Sequence, residues 1–240
     1  MKKKELLKQL IAGFQAGLPV EVYPRELMLP VDSNKIITVP GVRRCGKSSL
    51  FLLVINQLIS EKGIRKEQIL FLNFDDERLQ FDAENFDEIL QAYRELYPDI
   101  SLKDVYMFFD EIQMAEDWQP FVHRVYEQEC RHIFITGSNS NMLSSELATS
   151  LRGRTLQYEE FPLSFREYCS FVGVDTNYSS NPQPIGFSGI LLAKRQNSFY
   201  CTYFLHNRNV ADTKSPYPIK RLEVIRWFNQ KSMVFNQSLS

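Results

Sequence analysis

One stretch of this sequence is enough to predict a fold: Gly41-Val42-Arg43-Arg44-Cys45-Gly46-Lys47-Ser48. It fits the pattern G-x-x-x-x-G-K-[ST] at every fixed position. In loops of this pattern the glycines let the backbone approach a phosphate group, the lysine supplies a positive charge and the hydroxyl binds Mg²⁺. We therefore expect residues 41–48 and Ser49 to bind phosphates, with Lys47 also acting in catalysis and Ser48 as a metal ligand.

The residues around this loop predict a strand before it and a helix after it. Upstream, the apolar run Lys35–Val39 predicts a strand, which Pro40 ends because proline cannot donate to a ladder. Downstream, Ser49–Ile59 predict a buried helix. In this order the N–H groups of the loop and of the helix N-terminus point at one anion, so nucleotide binding is the first hypothesis.

A second apolar run, Val105–Phe109, is followed by two acidic residues, Asp110 and Glu111. A buried strand here would bring Asp110 to the carboxyl edge of a sheet, where its carboxylate can hold Mg²⁺ through water. Glu111 then becomes the candidate base that orients or deprotonates the attacking water. Acidic residues often end strands, so this interpretation depends on the phosphate loop that precedes them.

A further strand is predicted over His132–Thr136 and is followed by Gly137-Ser138-Asn139-Ser140. Polar side chains leaving this strand tip, Asn139 among them, could bond a γ-phosphate or the attacking water. The same residue types also favour an ordinary turn, so both interpretations stay open.

Two arginines, Arg152 and Arg154, follow a predicted helix over Asn141–Ser150. An arginine here could stabilise the charge of a phosphoryl transition state, in its own site or in that of a neighbouring subunit. The alternative is a structural or solvated arginine.

The composition is that of a chain able to bury a core: 240 residues, 44% hydrophobic and 24% charged. It has no run of 18 apolar residues, and its N-terminus has an amphipathic helical pattern rather than a signal-peptide core. We therefore expect a helical lead-in over residues 1–30, a cytoplasmic location and no membrane contact. The four cysteines lie far apart without a C-x-x-C pair, which favours reduced thiols.

Charge divides the chain into two parts. Residues 1–175 hold 20 Lys and Arg against 27 Asp and Glu, whereas residues 176–240 hold 8 against 2. We expect a nucleotide-binding domain over 1–172 and a short basic tail of uncertain order over 173–240. In that tail Phe187–Phe204 and Arg221–Phe228 fit either strands or helices. The tail's basic and aromatic residues are compatible with nucleic-acid binding through residues 176–240.

The motifs together resemble a bacterial and archaeal family of AAA-type ATP-binding proteins, in which an ATPase domain precedes a poorly understood C-terminal domain. The resemblance covers residues 20–172, approximately, and departs near Gly173, so we expect a truncated or divergent continuation. It is carried by the phosphate loop, Phe109-Asp110-Glu111-Ile112-Gln113, Ile135-Thr136-Gly137-Ser138-Asn139-Ser140, Leu151-Arg152-Gly153-Arg154 and Phe161-Pro162-Leu163-Ser164-Phe165-Arg166-Glu167-Tyr168.

This resemblance implies an α/β fold of the phosphate-loop NTPase class, ASCE or AAA-like, with a parallel sheet flanked by helices. It also implies Asp110 and Glu111 as the metal and water residues, and Ser138 or Asn139 as a sensor of the γ-phosphate.

Three functions follow as hypotheses. The first is Mg²⁺-dependent ATP hydrolysis, with ATP preferred over GTP because no Asn-Lys-x-Asp-type guanine reader is present. The second is a nucleotide-responsive switch with little turnover, because the chain lacks a partner domain or a neighbouring subunit in a homo-oligomer. The third is nucleic-acid binding through the basic tail.

Overall fold

Four apolar runs of the sequence and one short segment form the five parallel strands of a central sheet within the described residues. The computed structural model describes residues 3–79, 81, 85–138, 151, 153–172, 190–195 and 198–203. The chain divides into two compact units, Met1–Pro162 and Leu163–Ser240, and the sheet belongs to the first. Its strands are β1 (Ile36–Pro40), β2 (Ile69–Asn73), β3 (Tyr106–Asp110), β4 (His132–Gly137) and β5 (Thr155–Gln157). They lie side by side in the order β2-β3-β4-β1-β5.

Four helices among the described residues of the first unit cover both faces of the sheet. They are α1 (Lys3–Ala16), α2 (Lys47–Lys62), α3 (Asp87–Leu96) and α4 (Trp118–Gln128). Single 3₁₀ turns lie at Lys66–Gln68, Leu102–Asp104 and Ile112–Met114. None of the helices within the described residues is both long enough and apolar enough to cross a membrane.

Two cores form because successive residues of a strand point to opposite faces of the sheet. Ile36 packs on the face covered by α1, α3 and α4, whereas Ile37 packs on the face covered by α2 and the segment 17–35. The burial of all five residues of β1 and of β3 explains their near-continuous apolar sequences, which are typical of parallel sheets. The predicted α/β class, a parallel sheet flanked by helices, is confirmed.

The structure corrects two local predictions. Pro40 is the last residue of β1 rather than the residue after it. Proline has no N–H to donate, but its carbonyl can still accept a hydrogen bond at the end of a strand, and here it accepts one from Glu160 N–H at 2.8 Å. The lead-in is helical only to Ala16. Residues 17–35 form no helix, yet they bury Leu18, Leu29 and Val31 against α2.

The second unit is described over one helix and one hairpin. Helix α5 (Phe165–Val172) begins with a capping box, in which Ser164 N–H donates to Glu167 Oε2 at 2.7 Å and Glu167 N–H donates to Ser164 Oγ at 3.2 Å. Strands β6 (Ile190–Arg195) and β7 (Ser198–Tyr203) pair antiparallel. The strand alternative for Phe187–Phe204 is therefore the one observed over these residues, whereas Arg221–Phe228 lies outside the described part of the chain.

Candidate functional site

The predicted site residues meet at the carboxyl edge of the sheet. Because all five strands are parallel, the loops that follow β1, β3 and β4 leave the sheet at this same edge. Strand β4 lies between β1 and β3, with Pro40 paired to Gly137. The phosphate loop therefore faces the acidic pair across the end of β4, and residues far apart in sequence become neighbours.

The phosphate loop positions Lys47 at its centre. Gly46 precedes α2 with φ +110°, in the left-handed region that favours glycine, and this turn starts the helix at Lys47. The Lys47 side chain is only 3% exposed. Its Nζ donates to the carbonyl oxygens of Gly41 and Val42, each at 3.2 Å, and lies 3.0 Å from Glu111 Oε1. The ammonium is therefore held inside the loop, where phosphate oxygens could replace these carbonyls as its partners.

Asp110 lies beside Ser48, as a shared metal site requires. Ser48 Oγ donates to Asp110 Oδ2 at 2.5 Å, and Thr136 Oγ1 donates to Asp110 Oδ1 at 2.5 Å. Burial raises the pKa of Asp110, and the bonds from Ser48 and Thr136 partly oppose that shift. A carboxylate and a hydroxyl at this distance are hard oxygen donors of the kind that bind Mg²⁺. The residues present therefore fit this ion.

Glu111 is oriented by contacts with three residues, Thr136, Gln113 and Lys47. Its N–H donates to Thr136 Oγ1 at 2.8 Å, and its Oε2 accepts a bond from Gln113 Nε2 at 2.6 Å. Gln113 also donates to Ser138 Oγ at 3.0 Å. Burial acts to raise the pKa of Glu111, but the bonds from Gln113 and Lys47 outweigh burial and lower it. The carboxylate is therefore ionised at neutral pH and directed at the phosphate loop.

The other loop residues have more peripheral places. Val42 is exposed, and Arg43 lies 3.8 Å from Asp75 in an exposed ion pair. Arg44 has a left-handed φ of +64°. Cys45 is buried, and burial raises the pKa of its thiol. Ser49 is exposed on the first turn of α2.

Arg154 lies away from the site of its own chain. Its carbonyl accepts a bond from Ile36 N–H, at the amino-terminal end of β1, and its Nε donates to Glu127 Oε1 at 2.5 Å. The phosphate loop is at the opposite edge of the sheet, so this arrangement does not bring Arg154 to the loop of the same chain. A role in a neighbouring subunit stays a prediction. Arg152 and Asn139 lie outside the described residues.

Four residues of the site were not predicted from the sequence: Thr136, Gln113, Arg25 and Glu160. Thr136 is a polar residue at the end of the apolar run His132–Thr136, and this is a signal that the sequence carries. Gln113 lies in the motif with Asp110, but no spacing rule gives it a role. Arg25 and Glu160 form a buried ion pair behind the phosphate loop, and neither belongs to a sequence pattern.

Comparisons with known proteins match more than half of the chain. The model of a family described as AAA domain matches residues 33–169, more than half of the chain. An uncharacterized protein of Haemophilus influenzae is 37% identical over 188 residues, which cover 75% of this chain and 46% of that protein. An uncharacterized protein of Methanocaldococcus jannaschii is 36% identical over 172 residues, which cover 70% and 36%. The chain therefore spans less than half the length of these curated relatives.

Among solved structures, a proposed primosome component from Streptococcus pyogenes aligns with 13% identity and a TM-score of 0.36. The alignment covers 68% of this chain and 83% of that one. This similarity is too low to support a statement about fold or function.

Proposed function

This chain belongs to the AAA domain family and carries a nucleotide-binding phosphate-loop domain, and from that premise we propose that it binds ATP with Mg²⁺ and hydrolyses the terminal phosphate. One observation carries the proposal. Ser48 and Asp110 lie in contact at 2.5 Å, beside the contact of Lys47 with Glu111 at 3.0 Å. Two oxygen groups that would hold a metal ion, those of Ser48 and Asp110, thus lie beside a cation, Lys47, and a carboxylate, Glu111. Phosphoryl transfer to water uses groups of these four kinds.

Each of these side chains has a distinct part in the proposed reaction. Lys47 offsets the charge of the β- and γ-phosphates, and the first N–H groups of α2, which have no acceptor within the helix, bind phosphate oxygens. Ser48 and Asp110 would hold Mg²⁺. The ion, when bound, neutralises charge that develops on the phosphate oxygens.

Glu111 orients the attacking water and accepts its proton. Gln113 and Thr136 keep the Glu111 carboxylate and backbone in place through the bonds at 2.6 Å and 2.8 Å. Arg154, in a homo-oligomer, would serve the site of a neighbouring subunit.

A nucleotide-responsive switch with little turnover is the second candidate. The observation that favours it is the contact between Lys47 and Glu111, because a base paired with the loop lysine must leave that partner before it can act on water. Nucleic-acid binding through residues 176–240 stays a prediction, since the structure describes only the β6–β7 hairpin of that stretch.

The test is a titration with ATP, with and without Mg²⁺, together with a measurement of phosphate release. Lys47→Ala should weaken ATP binding at least about tenfold, because it removes at least one charge-assisted hydrogen bond to the phosphates. Lys62→Ala is the matched control, because this exposed lysine ends the same helix and pairs with Asp32. Equal affinity in the two variants would refute the nucleotide site.

Glu111→Gln separates hydrolysis from binding, because an amide keeps the shape of the side chain but cannot accept a proton from water. We expect ATP affinity close to wild type and little phosphate release. Turnover at the wild-type rate would reject Glu111 as the base. Mg²⁺-dependent binding by the wild-type protein without any turnover would instead favour the switch.

A further inference from the structure

We propose that Arg25 and Glu160 form a buried brace that positions the phosphate loop for its nucleotide. The brace is defined as this ion pair together with the bonds that it makes to the loop and to the segment 158–162. The inference rests on the proposed nucleotide binding and deepens it, because it names positioning residues outside the loop pattern.

Both members of the brace are removed from water. The Arg25 side chain is 6% exposed and that of Glu160 is 1% exposed, and the guanidinium Nη2 contacts Glu160 Oε1. A buried charge without a partner is strongly unfavourable, so each residue holds the other in place. The pair is therefore a fixed point behind the loop rather than a mobile surface contact.

Arg25 bonds directly to the phosphate loop. Its Nη1 donates to the Cys45 carbonyl oxygen at 3.0 Å, while Nη2 donates to the Phe161 carbonyl oxygen at 2.8 Å. In a trans peptide the C=O and the following N–H point in opposite directions. Arg25 holds the Cys45 carbonyl oxygen on the side of the loop that faces Arg25. The Gly46 N–H therefore points to the opposite side of the loop. A positive charge on the oxygen also polarises this N–H toward an anion.

Glu160 holds the other end of the loop. Its N–H donates to the Pro40 carbonyl at 2.8 Å, and it forms an isolated parallel bridge with Gly41. The first part of the loop is thus attached to the Glu160 backbone and the last part to the Arg25 side chain, and the two residues are joined by their ion pair.

Both loop glycines fit closely against this brace. A Cβ on Gly46 would collide with the Arg25 guanidinium, and a Cβ on Gly41 would collide with the Glu160 backbone oxygen. Because glycine has no side chain, Arg25 and Glu160 can pack directly against the loop at these two positions. This steric requirement is additional to the close approach of a phosphate group, which also favours glycine in the loop.

The test removes both charges together, in the double variant Arg25→Met/Glu160→Leu. Replacing both members avoids leaving either charge of the pair buried without the other, so we expect the variant to fold, with an unfolding midpoint lowered only by the loss of the bonds to the Cys45 and Phe161 carbonyls. The affinity for a fluorescent ATP analogue with Mg²⁺ should nevertheless fall about tenfold or more, because the loop loses a charge-assisted bond. The amide resonance of Gly46 should also move in the nucleotide-free protein.

The matched control is Arg94→Met/Glu129→Leu, which removes a solvent-accessible pair at 2.9 Å far from the loop. We expect its affinity and its Gly46 resonance to equal those of the wild type. Failure of the wild-type protein to bind the analogue would refute the proposed function itself. Wild-type binding together with unchanged affinity in Arg25→Met/Glu160→Leu would overturn the brace alone.

Arg25→Lys decides the matter if the double variant does not fold. Lysine keeps the positive charge beside Glu160, but its single nitrogen cannot reproduce the guanidinium fork that reaches the Cys45 and Phe161 carbonyls together. We expect a folded protein with weakened analogue binding. Affinity equal to that of the wild type would overturn the brace.

Discussion

Thr136→Val tests the hydroxyl that joins both acidic residues of the site. The substitution keeps the shape of the side chain, but it removes the donor to Asp110 Oδ1 at 2.5 Å and the acceptor of the Glu111 N–H at 2.8 Å. Thr136 is fully buried, so water cannot replace either bond. We expect the variant to be less stable and to bind ATP with a weaker dependence on Mg²⁺, because Asp110 loses one of its two orienting bonds.

The magnitude follows from these two bonds. A hydrogen bond to a charged group is worth about 1.5–3 kcal/mol, and a buried N–H left without a partner costs about 1–3 kcal/mol. We expect a combined loss of about 3 kcal/mol, since the two effects share one atom and do not add fully. For a chain of this size that loss lowers Tm by about 6–12 °C.

The assay is thermal unfolding followed by circular dichroism, with Thr38→Val as the matched control. Thr38 is equally buried on the adjacent strand β1, but its hydroxyl makes only a long bond of 3.4 Å to the neutral Leu156 carbonyl. We expect Thr38→Val to lower Tm by about 1–6 °C, less than Thr136→Val, since a neutral bond contributes about 0.5–1.5 kcal/mol and this one is long. Equal shifts in Thr136→Val and Thr38→Val would refute the role assigned to Thr136.

Three more outcomes are expected. Burial raises the pKa of Cys45, so its reactive thiolate is scarcer than that of an exposed thiol at any pH near neutrality. Alkylation at pH 8, followed by peptide mass spectrometry, should be much slower in the native than in the urea-unfolded protein; equal rates would contradict this. Arg154→Ala should lower phosphate release more than ATP affinity if the residue acts in a neighbouring subunit, and mixing it with Glu111→Gln should restore activity. No rescue on mixing would leave Arg154 a structural residue. Gly41→Ala places a Cβ against a backbone oxygen and 2.8 Å from the Cys45 Sγ, which should lower Tm by about 2–12 °C. Gly13→Ala, in α1 with no atom within 4 Å of the new Cβ, should raise Tm by about 1–4 °C; a change of the same sign in both would contradict the steric argument.

The strands that could be predicted are those that are buried on both faces. Burial requires a continuous apolar run, and β1, β3 and β4 were each predicted to within one residue at their ends. Strand β5 has three residues and pairs with β1 through its backbone, and its Leu156 is 40% exposed. It therefore has no apolar run to indicate it. The segment 17–35 forms neither a helix nor a strand. Its buried residues Leu18, Leu29 and Val31, which pack against α2, therefore do not recur at a regular spacing in the sequence.

The site could be predicted where a residue belongs to a spacing pattern. Lys47 and Ser48 come from the loop pattern, and Asp110 and Glu111 from the end of an apolar run, and the structure brings these four together; their chemical roles stay predictions. The residues that were missed act across long stretches of sequence. Thr136 contacts an aspartate 26 residues away, and Arg25 contacts a carbonyl 136 residues away. Such pairs have no fixed spacing, so only the folded chain reveals them.

The bond from Arg25 to Phe161 also has a consequence for how the protein is made. It closes a loop of 136 residues, nearly the whole length of the first unit. During synthesis the chain emerges from its N-terminus, so the residues of the phosphate loop leave the ribosome long before their support does. A nascent chain that ends before residue 160 can carry every residue of the loop pattern and still lack the contacts behind it. Full nucleotide affinity would then be acquired only after the last segment of the first unit has left the ribosome and docked.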